Sequence, residues 1–137
     1  MFTLKLKDRE LNIKFDYKAT VQTRLLPHIV EKETFQGEDM ESVQSLLSFL
    51  PEFLLVGLQK FHQDEFGFNY ETGEGKEEQL GKMYDIIEEY FDTNNDADAF
   101  ILYGKLSEEM LANGFLKSLF QEIQKEKKQA TKTTAKK

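Results

Sequence analysis

Residues 51–63 read PEFLLVGLQKFHQ, and this stretch decides the fold. Phe53, Leu54, Leu55, Val56, Leu58 and Phe61 leave almost no polar side on a 3.6-residue period, which marks a helix buried at the centre of a domain. Pro51 suits the first turn of a helix, so a new helix is expected to start there. Just before it, Val43, Leu46, Leu47 and Leu50 fall at i, i+3, i+4 and i+7 and predict a separate amphipathic helix capped by Asp39.

Working outward toward the N-terminus, a polar stretch runs from Glu31 to Glu38 and contains Gly37. Residues 18–32 carry Val21, Leu25 and Ile29 on one helical stripe, and Pro27 inside it predicts a kink or a break. The chain opens differently. Phe2, Leu4 and Leu6 alternate with polar residues, Lys7-Asp8-Arg9-Glu10 interrupts, and Leu11, Ile13 and Phe15 alternate again. Period two on both sides of a charged break reads as a β-hairpin with one apolar face. A lone hairpin is marginal in water, so that face must lie on the helices.

Toward the C-terminus, residues 64–76 read DEFGFNYETGEGK, and three glycines among mixed charges predict a loop. Leu80, Met83, Tyr84, Ile87 and Phe91 form the next apolar stripe, and residues 92–98 break it. Residues 99–112 resume with Leu102, Leu106 and Met110. Asn113-Gly114 is a helix stop, and Leu116, Leu119, Phe120 and Ile123 predict a short last helix. Residues 127–137 hold no large apolar side chain and are expected to be a disordered Lys-rich tail. The expected fold is therefore α+β and mainly α. One domain over residues 1–126 packs an N-terminal β-hairpin on a bundle of five or six helices.

Composition narrows the function. The 137 residues carry a net charge of −7 and no Cys, which excludes a disulfide scaffold, thiol catalysis and Cys-ligated zinc. Residues 1–126 set 13 Lys/Arg against all 25 Asp/Glu, and the last 11 residues hold five Lys and no acid. An acidic body repels phosphate backbones, so no nucleic-acid partner is expected. No apolar run reaches the ~20 residues of a membrane span, and no signal peptide is expected, since Met1-Phe2-Thr3 opens directly on the alternating pattern. A soluble intracellular protein follows as the expectation.

The motifs with chemical potential are weak. Asp92, Asn94, Asp96 and Asp98 have the odd-position spacing of a calcium loop, but Ala97 stands where its Gly belongs and Tyr103 where its bidentate Glu belongs. A helix-capping loop is the better reading. Gly73-Glu74-Gly75-Lys76 lacks the remainder of a phosphate-binding loop, with Glu77 in the Ser/Thr place. The pairs Glu77-Glu78, Glu88-Glu89 and Glu108-Glu109 read as solvated helix faces rather than acid–base machinery. His28 and His62 have no ligand-spaced partners. No catalytic residue, metal or cofactor is expected. Phe66, Phe68 and Tyr70 recur at period two and either pack onto the domain as a short strand or lid, or form an exposed aromatic edge for a partner.

Three segments resemble the tail assembly chaperones of long-tailed, siphovirus-like bacteriophages. TLKLKDRELNIKFD is similar to that family's N-terminal hairpin, LLSFLPEFLLVGLQKF to its central apolar helix, and LSEEMLANGFLKSLF to its acidic helix, polar-Gly break and final helix. Many relatives have Asn-Gly at the first turn, where this chain has Asp8-Arg9. The resemblance implies a cytoplasmic protein of the infected host that coats the tape measure protein, recruits major tail tube subunits, self-associates and is absent from the mature virion. The partner-binding surface expected on this reading combines Phe66, Phe68 and Tyr70 with Phe115, Leu119 and Phe120. Two rivals are an acidic DNA-mimic inhibitor, which would array carboxylates over one face, and a small metal-dependent enzyme.

Overall fold

The computed structural model describes residues 2–25, 40–111, 114–116 and 118. Strands β1 (Phe2–Lys5) and β2 (Glu10–Ile13) pair antiparallel with Phe2 opposite Ile13 and Leu4 opposite Leu11. Leu4, Leu11 and Ile13 are buried, and so are Leu6 and Phe15 just beyond the strand ends. The alternation in the sequence therefore names the inner face correctly. The turn closes with the Leu6 N–H donating to the Arg9 carbonyl at 2.8 Å.

Four helices are found among the described residues, fewer than the five or six expected: α1 (Tyr17–Gln22), α2 (Met40–Phe66), α3 (Lys76–Thr93) and α4 (Ala99–Leu111). Asp16 caps α1 by accepting the Ala19 N–H at 3.2 Å. Pro27, His28, Ile29 and Asp39 lie outside the described residues, as do Leu119, Phe120, Ile123 and the Lys-rich tail.

Helix α2 runs straight through Pro51, which corrects the expected new start there. An interior Pro costs a helix about 3 kcal/mol. Phe49, Leu50, Phe53 and Leu54 are all buried around it, at about 1.5–3 kcal/mol each, and burial wins. The backbone leaves the helical region at His62 instead, with φ −129° and ψ 30°. There the imidazole Nε2 accepts the Asn12 N–H of β2 at 3.0 Å. Five residues earlier the Gly57 carbonyl accepts the Lys14 N–H at 3.0 Å. The outer edge of β2 is thus satisfied by α2 rather than by a third strand, as buried backbone groups require.

Residues 53–59 of α2 are buried on every side, with Phe53, Leu54, Leu55, Val56 and Leu58 fully so. Phe61 and Leu47, expected on apolar stripes, are half exposed. Helices α3 and α4 pack on the same central helix and also touch β1. The buried side of α3 is Met83, Ile86, Ile87 and Tyr90, and Tyr84 points outward. The expected stripe is offset: Ile86 and Tyr90 stand on the buried side in place of Tyr84, and Leu80 and Phe91 are only partly buried. Leu102, Leu106 and Met110 of α4 are fully buried, as their spacing predicts.

Gly57 is the point where strand and helix meet most closely. A Cβ there would lie 2.8 Å from Ile13 Cγ2 and 3.1 Å from Phe15 Cζ. We expect Gly57→Val to destabilise the protein by about 1–3 kcal/mol through overpacking. Gly81 of α3 has nothing within 4 Å of the same atom, and Gly81→Ala should stabilise by about 0.5–1 kcal/mol. Urea denaturation of both variants checks the pair, and equal effects would refute the close approach.

Candidate functional site

The segment after α2 does not run extended. Phe66 is the last residue of α2 and is 1% exposed, which removes it from the expected surface. Its carbonyl accepts from Gln59 Nε2 at 2.9 Å, and the same nitrogen donates to the Leu55 carbonyl at 3.0 Å. Gln59 Oε1 accepts the Tyr70 hydroxyl proton at 3.1 Å, and that hydroxyl accepts from Gln63 Nε2 at 3.2 Å. A single buried amide thereby ties the loop to the helix.

The loop itself is closed by Asn69. Its Oδ1 accepts the Glu71 and Thr72 N–H groups at 3.0 Å each, and its backbone N–H donates to the Glu74 carbonyl at 3.0 Å. Gly73 and Gly75 supply the left-handed backbone, with φ 80° and 86°. Phe68 and Tyr70 are half buried, and their rings meet edge to face at 5.2 Å. Phe66 packs inward, whereas Phe68 and Tyr70 each keep a partly exposed face. Lys76, from the incomplete phosphate-loop motif, pairs with Glu52 at 2.7 Å.

Phe68 and Tyr70 form one wall of a cleft of about 560 Å³, and Val21 to Arg24 form the other. Val21, expected inside, is 46% exposed. One turn before it on the same face of α1 stands Tyr17, 66% exposed, whose ring packs edge to face on Phe115 at 5.3 Å. Phe115 is itself 40% exposed. Helix α1 therefore joins the two sequence segments singled out for partner binding into one aromatic surface: Phe115, Tyr17, Val21, then the cleft with Phe68 and Tyr70. Sequence reasoning starts the stripe at Val21 and so leaves out Tyr17, although its i, i+4 spacing to Val21 could have found it.

The remaining motif residues have structural work. Asp98 Oδ1 accepts the Ile101 N–H at 2.9 Å and caps α4. Asn94 Nδ2 donates to the Lys5 carbonyl at 3.0 Å and the Tyr90 carbonyl at 2.9 Å, linking the end of α3 to β1. Glu109 is 3% exposed, which corrects the solvated-face reading for that residue. Among the described residues no group of three or more His, Asp or Glu is placed to hold a metal, and no helix is long and apolar enough to cross a membrane. Asp85, Glu88, Glu89 and Asp92 line a groove on α3 of about 630 Å³ together with Lys7 and Thr93. Compared with known proteins, the chain matches no family model, no curated protein and no solved structure.

Proposed function

We propose that this chain is a tail assembly chaperone of a long-tailed bacteriophage. On this reading it is not an enzyme. It binds the tape measure protein, gathers tail tube subunits around it, self-associates along its client in the host cytoplasm and leaves before the virion is complete. The observation that carries the reading is the aromatic surface on α1, where Tyr17, Val21 and Phe115 are exposed outside the hydrophobic core. Contiguous exposed apolar surface on a small acidic domain is the expected signature of a protein-binding face. The acidic body would keep a concentrated chaperone in solution.

Co-expression with tape measure fragments tests it. Wild type should capture a fragment, and Tyr17→Ser/Phe115→Ser should capture it about tenfold less while melting normally, as loss of aromatic interface anchors predicts. A double variant that folds and binds as well as wild type would remove this surface from the account. Failure of wild type to capture any fragment would remove the chaperone reading.

One observation favours the DNA-mimic reading: Asp85, Glu88, Glu89 and Asp92 follow one face of α3 at i, i+3, i+4 and i+7. Inhibition of a DNA-binding protein by wild type, relieved by Glu88→Gln/Glu89→Gln, would support it.

A further inference from the structure

At His62 a titratable side chain holds two elements together. Strand β2 turns its outer backbone edge toward α2, and the His62 imidazole Nε2 accepts the Asn12 N–H of that edge at 3.0 Å. A ring nitrogen that accepts carries no proton, so this hydrogen bond assigns the neutral tautomer with its proton on Nδ1. The imidazolium has two N–H donors and no acceptor, and a proton on Nε2 would set one donor against another. The neighbouring contact of the same edge, Lys14 N–H to the Gly57 carbonyl at 3.0 Å, does not titrate.

The charges around the ring come in opposite pairs. Glu10 and Lys14 flank Asn12 on β2. Arg9 of the hairpin turn pairs with Glu65 of α2 at 2.8 Å, and Lys60 of α2 lies 3.9 Å from Asp16. Asp64 is two positions along α2, and residues so spaced do not face each other. From α3 the neutral Gln79 amide reaches this turn, donating to the Glu65 and Gly67 carbonyls at 3.4 and 3.2 Å. The turn that follows His62 carries the aromatic loop. Phe66 meets the imidazole edge to face at 6.5 Å, and Gln63 Nε2 donates to the Tyr70 hydroxyl at 3.2 Å.

We propose that His62 is an acid-sensitive latch between the hairpin and the last turn of α2, closed while the imidazole is neutral and released when it takes a proton, and that its release reaches the loop through Gln63 and Tyr70. The direction follows from the bond. Only the neutral ring makes it, so its contribution is present above the range where histidine ordinarily titrates, around 6.5, and is lost as pH falls through that range. The latch does not depend on the chaperone reading.

NMR of the whole protein between pH 7.5 and 5 tests it. At pH 7.5 the His62 ring nitrogens should show Nδ1 protonated and Nε2 bare. As the ring takes its proton, the Asn12 amide should move upfield and the amides of residues 68–70 should shift with the same midpoint, while the Lys14 amide stays in place. Over the same range wild type should lose about 3–6 °C more in Tm than His62→Gln, the worth of one hydrogen bond. His28 and the carboxylates are common to both chains and cancel in the difference. A protonated Nε2 at pH 7.5, an Asn12 amide that does not titrate, or equal losses of Tm would each overturn the latch, and amides of residues 68–70 that stay still while Asn12 moves would overturn its coupling to the loop.

Discussion

Truncating Phe53 to Ala is expected to cost about 3–5 kcal/mol, because one side chain fills the junction of three elements. Phe53 is fully buried on α2. Its ring lies 5.1 Å from Phe15 of the hairpin segment, 5.3 Å from Phe49 one turn back, and 5.4 Å from Tyr103 of α4. The elements it joins share no local sequence, and no small movement of one can refill the space. A domain of this size has about 5–15 kcal/mol of stability in all, so the loss is a large fraction of the total. Phe61, on the same helix and 47% exposed, is the control, and Phe61→Ala should cost less than about 1 kcal/mol. Chemical denaturation distinguishes them. Similar losses at both positions would mean that the burial of α2 is not as described.

Gln59→Leu should cost about 2–3 kcal/mol although it adds apolar surface to the core, since each buried polar group it orphans costs about 1–3 kcal/mol. Gln59 is 3% exposed, and its amide serves the Leu55 and Phe66 carbonyls and the Tyr70 hydroxyl. Leu fills similar space and strands those groups. The double variant Gln59→Leu/Tyr70→Phe should lose less than the sum of the two single changes, since both remove the same bond. Strict additivity would dissolve the proposed tie between loop and helix. The loop also carries a pH signature. Burial first, then the charge of Asp16, pushes the Tyr70 phenol above its ordinary value of 10.0, against a lowering hydrogen bond from Gln63. A raised folded value means the folded protein keeps a proton that the unfolded chain gives up. That stability is fully present below the ordinary tyrosine value and is lost as pH climbs through the raised one.

Period two in Phe2–Leu6 and Leu11–Phe15 is enough to name the inner face of the hairpin, because a pleated strand leaves no other way to bury alternating side chains. The apolar run Phe53–Leu58 is enough to name the central helix, and Leu102, Leu106 and Met110 are enough to orient α4. These are local patterns with a fixed geometric meaning. What lies beyond them is decided by partners distant in the chain. Helix α2 passes through Pro51 because burial around it outweighs one lost hydrogen bond. It bends at His62, whose imidazole meets a strand 50 residues away in sequence. Phe66 is inside and Phe68 and Tyr70 are half inside because Gln59 anchors the segment and Asn69 turns it. Val21 is outside because its helix ends within two residues and lays a face along the cleft, a fact the stripe Val21–Leu25 cannot record. Periodicity states which residues share a side of an element. Only the competition among packed elements decides which side meets the core, and so the aromatic surface on α1, assembled from residues 17, 21, 68, 70 and 115, is visible in tertiary structure alone.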